Sequence, residues 1–329
     1  MNHGLVFGKF LPVHKGHVYL IEQAQRQCDR LTVFICTLDR EPIPGDLRVS
    51  WLRTLFPDVE VVHCREDLPQ YPQESAAFWD TWVGVVQSYV ARDIDCLFTS
   101  EDYGIEFARR LGIAHVMVDR NRTAVPVSGT LIRDTPYQYW DYIPTVVRPY
   151  FMKKVVLTGP ESTGKTITSQ LLAEHYRTMW VPEYGREYTD LVKHLTLEDF
   201  TNIASGQLAL EHRIAIQASQ VSKLLICDTD LIVTQIFGEI MVKGCPRWII
   251  ETNEKNARKY DLYLLMSPDI PWVNDGTREY GDIRDWHFRR LQQELVERET
   301  HYVIIDGTSF EERTRKAIIA VDDIMKGVA

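Results

Sequence analysis

Short apolar runs alternate along the chain with longer stretches whose apolar side chains recur every three or four positions, and this alternation runs twice. Residues 4–10 read as a strand, 17–27 as a helix with Val18, Leu20, Ile21 and Ala24 at helical spacing, and 31–38 as a buried strand. A helix over 46–55, a strand over 59–63, a helix over 78–91, a strand over 96–100, a helix over 103–111 and a strand over 115–118 follow. Strands alternating with helices predict a parallel sheet covered on both faces.

The pattern breaks over 135–150, where Pro136, Pro144 and Pro149 stand among aromatics and predict a short helix and connector. A second series opens with a strand at 153–158 and a helix over 165–176. Further strands are expected at 179–182, 224–228, 262–266 and 302–305, with helices over 196–222, 284–299 and 310–325. The expected fold class is therefore α/β, with two doubly wound parallel-sheet domains divided as 1–150 and 151–329. The halves share an architecture but no sequence repeat.

At 329 residues each half can bury its own core, and the 45% hydrophobic and 25% charged content is ordinary for a globular enzyme. A net charge of -9 argues against a general nucleic-acid binder, while helix N-termini still allow small anionic ligands. The six cysteines show no CxxC spacing and read as buried, reduced thiols. No basic stretch precedes an apolar h-region and no run approaches the ~18 apolar residues of a membrane span, so a cytoplasmic protein is expected.

Chemistry enters at the two strand ends that open the halves. The first carries Gly8-Lys9-Phe10-Leu11-Pro12-Val13-His14-Lys15-Gly16-His17, an HxGH element passing into a helix. That is where open α/β sheets bind ligands, and the helix start adds N–H groups and positive potential. Gly16 lets backbone approach phosphates, Lys9 adds a point charge, and Gly8 and Phe10 belong to the same cradle. Two satisfied histidines are the bland alternative. Ser128-Gly129-Thr130-Leu131-Ile132-Arg133 resembles the ST-x-x-R signature of HxGH nucleotidylyltransferases, in which the Arg and Ser bind the distal phosphates of ATP. In that family an acceptor phosphate attacks the α-phosphorus of ATP and pyrophosphate leaves. His14, His17, Lys9 and Arg133 would form the electrostatic clamp, with Mg²⁺ on the phosphates.

The second strand end carries Gly159-Pro160-Glu161-Ser162-Thr163-Gly164-Lys165-Thr166, a full Walker A loop. Its backbone N–H groups cradle phosphates, Lys165 reaches the β and γ oxygens, and Thr166 ligates Mg²⁺. Asp228 or Asp230, at the end of the strand 224–228, is the expected metal-side acid; either could instead cap the next helix. Glu183 follows the strand at 179–182, where P-loop nucleoside kinases place an acid near the substrate hydroxyl; a salt-bridge role is equally open. Asn274 to Arg278 reads as a lid with Arg278 closing on the γ-phosphate, and Trp272 could stack on a base or sit in the core.

In their order these elements resemble the NadR family of nicotinamide-mononucleotide adenylyltransferases and ribosylnicotinamide kinases over nearly the whole chain. The resemblance also rests on Tyr137 to Pro144, Glu183-Tyr184-Gly185-Arg186-Glu187, Asp228-Thr229-Asp230 and Pro268 to Arg278. It implies phosphorylation of nicotinamide riboside by ATP in the second half and adenylylation of the product NMN to NAD in the first. Trp79 and Trp82 fall where the family places a nicotinamide-stacking tryptophan, though both could be core. Some members carry an N-terminal helix-turn-helix; with a first strand at residue 4 none is expected here, nor DNA binding. Asn274 stands where an acid is usual. Small molecules are the expected partners, without nucleic acid or membrane, and a homo-oligomer is compatible with the sequence. Two other readings stay open: a different HxGH transferase fused to a deoxynucleoside or pyrimidine kinase, and a nucleotide sensor with one inactive half. The intact Lys165, Thr166, His14, His17 and Arg133 weigh against the sensor.

Overall fold

The computed structural model describes residues 3–90, 93–192, 194–256, 259–272 and 280–328. The chain divides into two compact units, Met1–Arg148 and Pro149–Ala329.

The first unit is built from β1 (His3–Gly8), α1 (Lys15–Gln25), β2 (Arg30–Cys36), α2 (Gly45–Leu55), β3 (Glu60–Cys64), α3 (Phe78–Tyr89), β4 (Cys96–Thr99), α4 (Tyr103–Leu111), β5 (Ala114–Met117) and α5 (Gly129–Asp134). Its five parallel strands run in the order β3-β2-β1-β4-β5, so β1 is central and the direction of winding reverses beside it. Leu5, Phe34 and Leu97 are fully buried and share a core with Trp82, Val86 and Phe107 of the covering helices. Strands buried on both faces read as continuous apolar runs, which is why they were legible.

The second unit contains β6 (Lys153–Thr158), α6 (Lys165–His175), β7 (Trp180–Val181), α7 (Tyr184–Leu191), α8 (Leu197–Ala218), β8 (Leu224–Asp228), α9 (Leu231–Met241), α10 (Arg247–Asn256), β9 (Leu262–Met266), α11 (Arg284–Glu297), β10 (Tyr302–Ile305) and α12 (Phe310–Met325). Its parallel order is β10-β9-β6-β8-β7, again with the motif-bearing strand in the centre. Three helices go beyond the sequence expectations. In α9, Leu231 to Ile236 are all buried, so no polar face marks a helical period. The charged α10 and the short α7 are fixed by their packing on α9 and α8. No helix among the described residues is long and apolar enough to cross a membrane.

Candidate active sites

In the first unit β1 delivers its chain to the start of α1 at the point where sheet winding reverses. His14 is the N-cap: its Nδ1 accepts from the backbone N–H of His17, and His17 Nδ1 accepts from that of His14, both at 3.3 Å. This reciprocal capping stacks the two rings 3.7 Å apart. With Nδ1 accepting, each neutral ring carries its proton on Nε2 and has that N–H to offer the cavity both rings line. Gly16 is required by this packing as well, since a Cβ there would meet the His14 imidazole at 2.9 Å.

Burial first, then the Arg122 charge, pushes His14 down to about 3. His17 is pushed well down by burial, then by His14 and Arg122. The imidazoles are therefore neutral donors at neutral pH, so within the expected electrostatic clamp the positive charge comes from Lys9 and Arg133. A triphosphate beside them would pull in the opposite direction. The cations at the cavity are Lys9, Arg122 and Arg133 along with Arg40. Arg133 donates to the Leu11 carbonyl and, at 3.1 Å, to Thr130 Oγ1, tying α5 to the HxGH loop. Ser128 is the N-cap of α5, accepting from Leu131 N at 3.3 Å.

The cavity measures about 1340 Å³, and Gly8, Phe10, Gly16, Ser128 and Thr130 also line it. Phe10 is buried with its ring 4.8 Å from that of His17. The two tryptophans of α3 differ. Trp82 is 5% exposed, its Nε1 donating to Pro69 O at 2.9 Å and its ring edge-on to Phe7, so it is a core residue that reaches the wall. Trp79 is half-buried on the same wall.

Sequence reasoning passed over several supports of this site. Arg48 is fully buried; its guanidinium donates to Lys9 O at 2.7 Å and to Glu41 at 2.6 Å, while Glu41 also pairs with Lys9 at 3.5 Å. Arg122 sits in a loop knitted by Asp119, whose carboxylate accepts from Thr123, Ala124 and Val125 N–H groups, and pairs with Glu101 at 3.1 Å. The signal for Arg48 was available: it occupies the apolar stripe of α2, one turn before Leu52.

In the second unit the loop Gly159–Thr166 joins β6 to α6. Gly164 takes φ +81° at the N-cap of α6, a conformation that favours glycine. Lys165 Nζ folds over the loop onto the carbonyls of Gly159 and Pro160, 2.9 Å from each, and Thr163 Oγ1 donates to Pro160 O at 2.9 Å. Glu161 accepts from Tyr280 N at 3.1 Å, and the Ser162 carbonyl accepts from Arg284 at 3.3 Å. Arg313 of α12 is fully buried and donates to Thr163 O at 3.1 Å, Ser267 O and Gly307 O, bracing the loop from behind. It too lies on an apolar stripe, with Ala317 and Val321.

The two candidate acids at the end of β8 separate cleanly. Thr166 Oγ1 donates to Asp228 Oδ2 at 2.5 Å, and Asp228 Oδ1 is buried with no partner. Asp230 is instead committed: Oδ1 caps α9 by accepting from Ile232 N at 3.0 Å, and Oδ2 accepts from Tyr263 at 2.7 Å. Asp230 as a metal ligand is therefore corrected to a structural cap. Between them Thr229 takes φ +88°, rare for a β-branched residue, and this reversal sends successive carboxylates to different partners. Burial, then the Glu183 charge, raises Asp228 to about 6. Burial lowers the Lys165 ammonium, opposed first by Glu183 and then by Asp228. Those couplings place Glu183 in the same electrostatic site. It occupies the N-cap position of α7 without a capping bond and pairs with Arg186 at 3.7 Å. Trp272 lies at the surface beside Gly281. Arg278 and Asn274 fall outside the described residues.

Residues 6–123 match the family described as citrate lyase ligase C-terminal domain, and residues 154–313 that described as AAA domain. Over 98% of its length the chain is 31% identical to the trifunctional NAD biosynthesis/regulator protein NadR of Escherichia coli (strain K12), spanning 83% of that protein. It is 29% identical to the NadR of Salmonella typhimurium, with the same shares. Among solved structures, a NadR protein in complex with NAD and AMP-PNP superposes with a TM-score of 0.70 at 26% identity, covering 98% of this chain and 96% of that one. A NadR protein in complex with NR gives 0.71 at 24% identity, covering 98% and 95%.

Proposed function

Because the chain belongs to the NadR family, we propose that it is a bifunctional NAD-biosynthetic transferase. Its second unit phosphorylates nicotinamide riboside with ATP, and its first adenylylates the resulting NMN to NAD with release of pyrophosphate. The observation that carries this reading is that each compact unit has its own phosphate cradle at the C-terminal end of its central strand. The functional boundary falls near residue 150, close to the division of the units.

In the first unit the acceptor phosphate attacks the α-phosphorus of ATP in line. The Nε2–H groups of His14 and His17 donate to phosphoryl oxygens, while Lys9, Arg133 and Arg122 supply the positive charge. Arg133 and Ser128 would exchange their present partners for the distal phosphates. The more exposed Trp79 is the better platform for a nicotinamide ring. In the second unit the Gly159–Thr166 backbone and Lys165 hold the triphosphate, and Glu183 accepts the proton of the ribosyl 5′-hydroxyl. Arg278 is retained as a lid cation by the family resemblance alone.

Thr166 Oγ1 beside a buried, unpartnered carboxylate oxygen is a donor set suited to Mg²⁺, which prefers hard oxygen ligands. When bound there the ion would neutralise charge on the β- and γ-phosphates. Asp228→Asn is expected to raise the Mg²⁺ concentration needed for half-maximal ADP formation by about 10–100-fold. A magnesium titration of both proteins checks this, and an unchanged curve would remove Asp228 from the metal site.

A substrate panel tests the function as a whole. Purified protein should release ADP with nicotinamide riboside and pyrophosphate with NMN. Equal or faster phosphorylation of uridine or deoxycytidine would promote the deoxynucleoside or pyrimidine kinase alternative.

A further inference from the structure

Cys36 and Cys64 are the last residues of β2 and β3 and are register partners across these parallel strands. Register partners project from one face of a sheet, with strands about 4.8 Å apart. That spacing lies within the ~4.4–6.8 Å over which a disulfide joins two Cα atoms. Both residues are buried in the same core cluster, at 7% and 0% exposure. Among the described residues no other cysteine has a cysteine as register partner.

The two thiols differ in character. The Cys36 thiol beside it pulls the Cys64 thiol down to about 7, helped by the Glu66 backbone and against burial, while burial holds the Cys36 thiol up. Contact between the sulfurs favours the thiolate at Cys64, and Cys36 is placed to resolve what forms on it. Cys36 lines the cavity that His14 and His17 also line, which gives a small solute a route to the pair.

We propose that Cys36 and Cys64 form a dithiol modification site, which a peroxide-class oxidant entering the cavity closes to a disulfide that suppresses the first unit's reaction. The Cys64 thiolate attacks a peroxide oxygen, cleaving the O–O bond and giving a sulfenic acid and, after protonation, one water. The Cys36 sulfur then attacks the sulfenic sulfur, forming the S–S bond and expelling a second water. Two thiols are oxidised by two electrons and one hydrogen peroxide is reduced to two waters.

The consequence follows from what these strand ends carry. Closing the bond draws the Cβ atoms to about 3.8 Å. Thr37, next to Cys36, donates its N–H to Cys64 O at 3.1 Å and pairs with His63 at 2.8 Å through Oγ1. A Cβ on Gly45 would lie 2.4 Å from that Oγ1, so α2 starts hard against Thr37. From α2, Arg48 fixes the Lys9 carbonyl and Glu41. A shift at the dithiol therefore reaches the phosphate cradle.

The test uses the full, reduced chain treated with graded hydrogen peroxide. Intact mass should fall by two hydrogens and peptide mapping should link Cys36 to Cys64. Since displacements of ~1 Å can cost ~10²-fold, pyrophosphate formation should fall by about tenfold or more and return with dithiothreitol. ADP formation by the second unit should hold. Cys64→Ala, with Cys64→Ser as a second variant, should stay active and resist peroxide. No link, a link through other cysteines, a link with full activity, or a Cys64→Ala protein still inactivated reversibly would each overturn the proposal. The activity arm rests on the function proposed above. A reduced protein that never releases pyrophosphate counts against that function, and the mapped link alone then decides the dithiol.

Discussion

Glu183→Gln is expected to lower nicotinamide riboside phosphorylation by ~10²–10⁴-fold, the usual worth of a general base, while leaving ATP affinity nearly unchanged. The substitution keeps shape and removes one charge. ATP is held by a separate loop, so its binding should be spared. The alternative role for Glu183 is an ion pair with Arg186, which is half-exposed at 49%. Exposed pairs of this kind contribute only ~0–1 kcal/mol, so losing one would scarcely move turnover. A secondary effect has a definite sign. The Glu183 charge helps hold Asp228 up near 6, so its removal lets Asp228 ionise more readily. Steady-state kinetics with ATP titrated at saturating nucleoside separate the two effects; a loss confined to ATP affinity would remove the base assignment.

His17→Ala should cut pyrophosphate-forming adenylylation by ~10²–10³-fold, as removal of one well-placed donor does, with ADP formation intact. Lys165→Ala should do the converse. His17 also accepts from His14 N and stacks on its ring, so alanine removes a helix-capping partner as well as a donor. His17→Asn, which restores a side-chain amide, distinguishes these contributions: substantial recovery would mean that capping mattered more than the Nε2 donor. If His17→Ala abolished both activities in a protein that remained folded, two independent sites could not be maintained.

The sequence alone determined the double α/β architecture, because strands buried on both faces appear as apolar runs and most helices carry an apolar stripe. It also singled out the two strand ends that the fold places at the centre of each sheet, since glycines, histidines and a Walker lysine at fixed spacing are local features. It could not resolve α9, whose helical period vanishes when nearly every side chain is buried. Nor could it choose between Asp228 and Asp230, two residues apart after the same strand. That choice rests on the Thr229 backbone reversal and on the distant partners Thr166 and Tyr263. Arg48 and Arg313 stand on apolar helix stripes, which marks them in sequence as buried, but only the fold brings carbonyls to their guanidinium groups. The neutrality of His14 and His17 was likewise decided in three dimensions, because burial and the charge of Arg122, more than a hundred residues away along the chain, set it together. Spacing along a chain specifies which groups can act locally; charge state and partnership depend on what the fold packs against them.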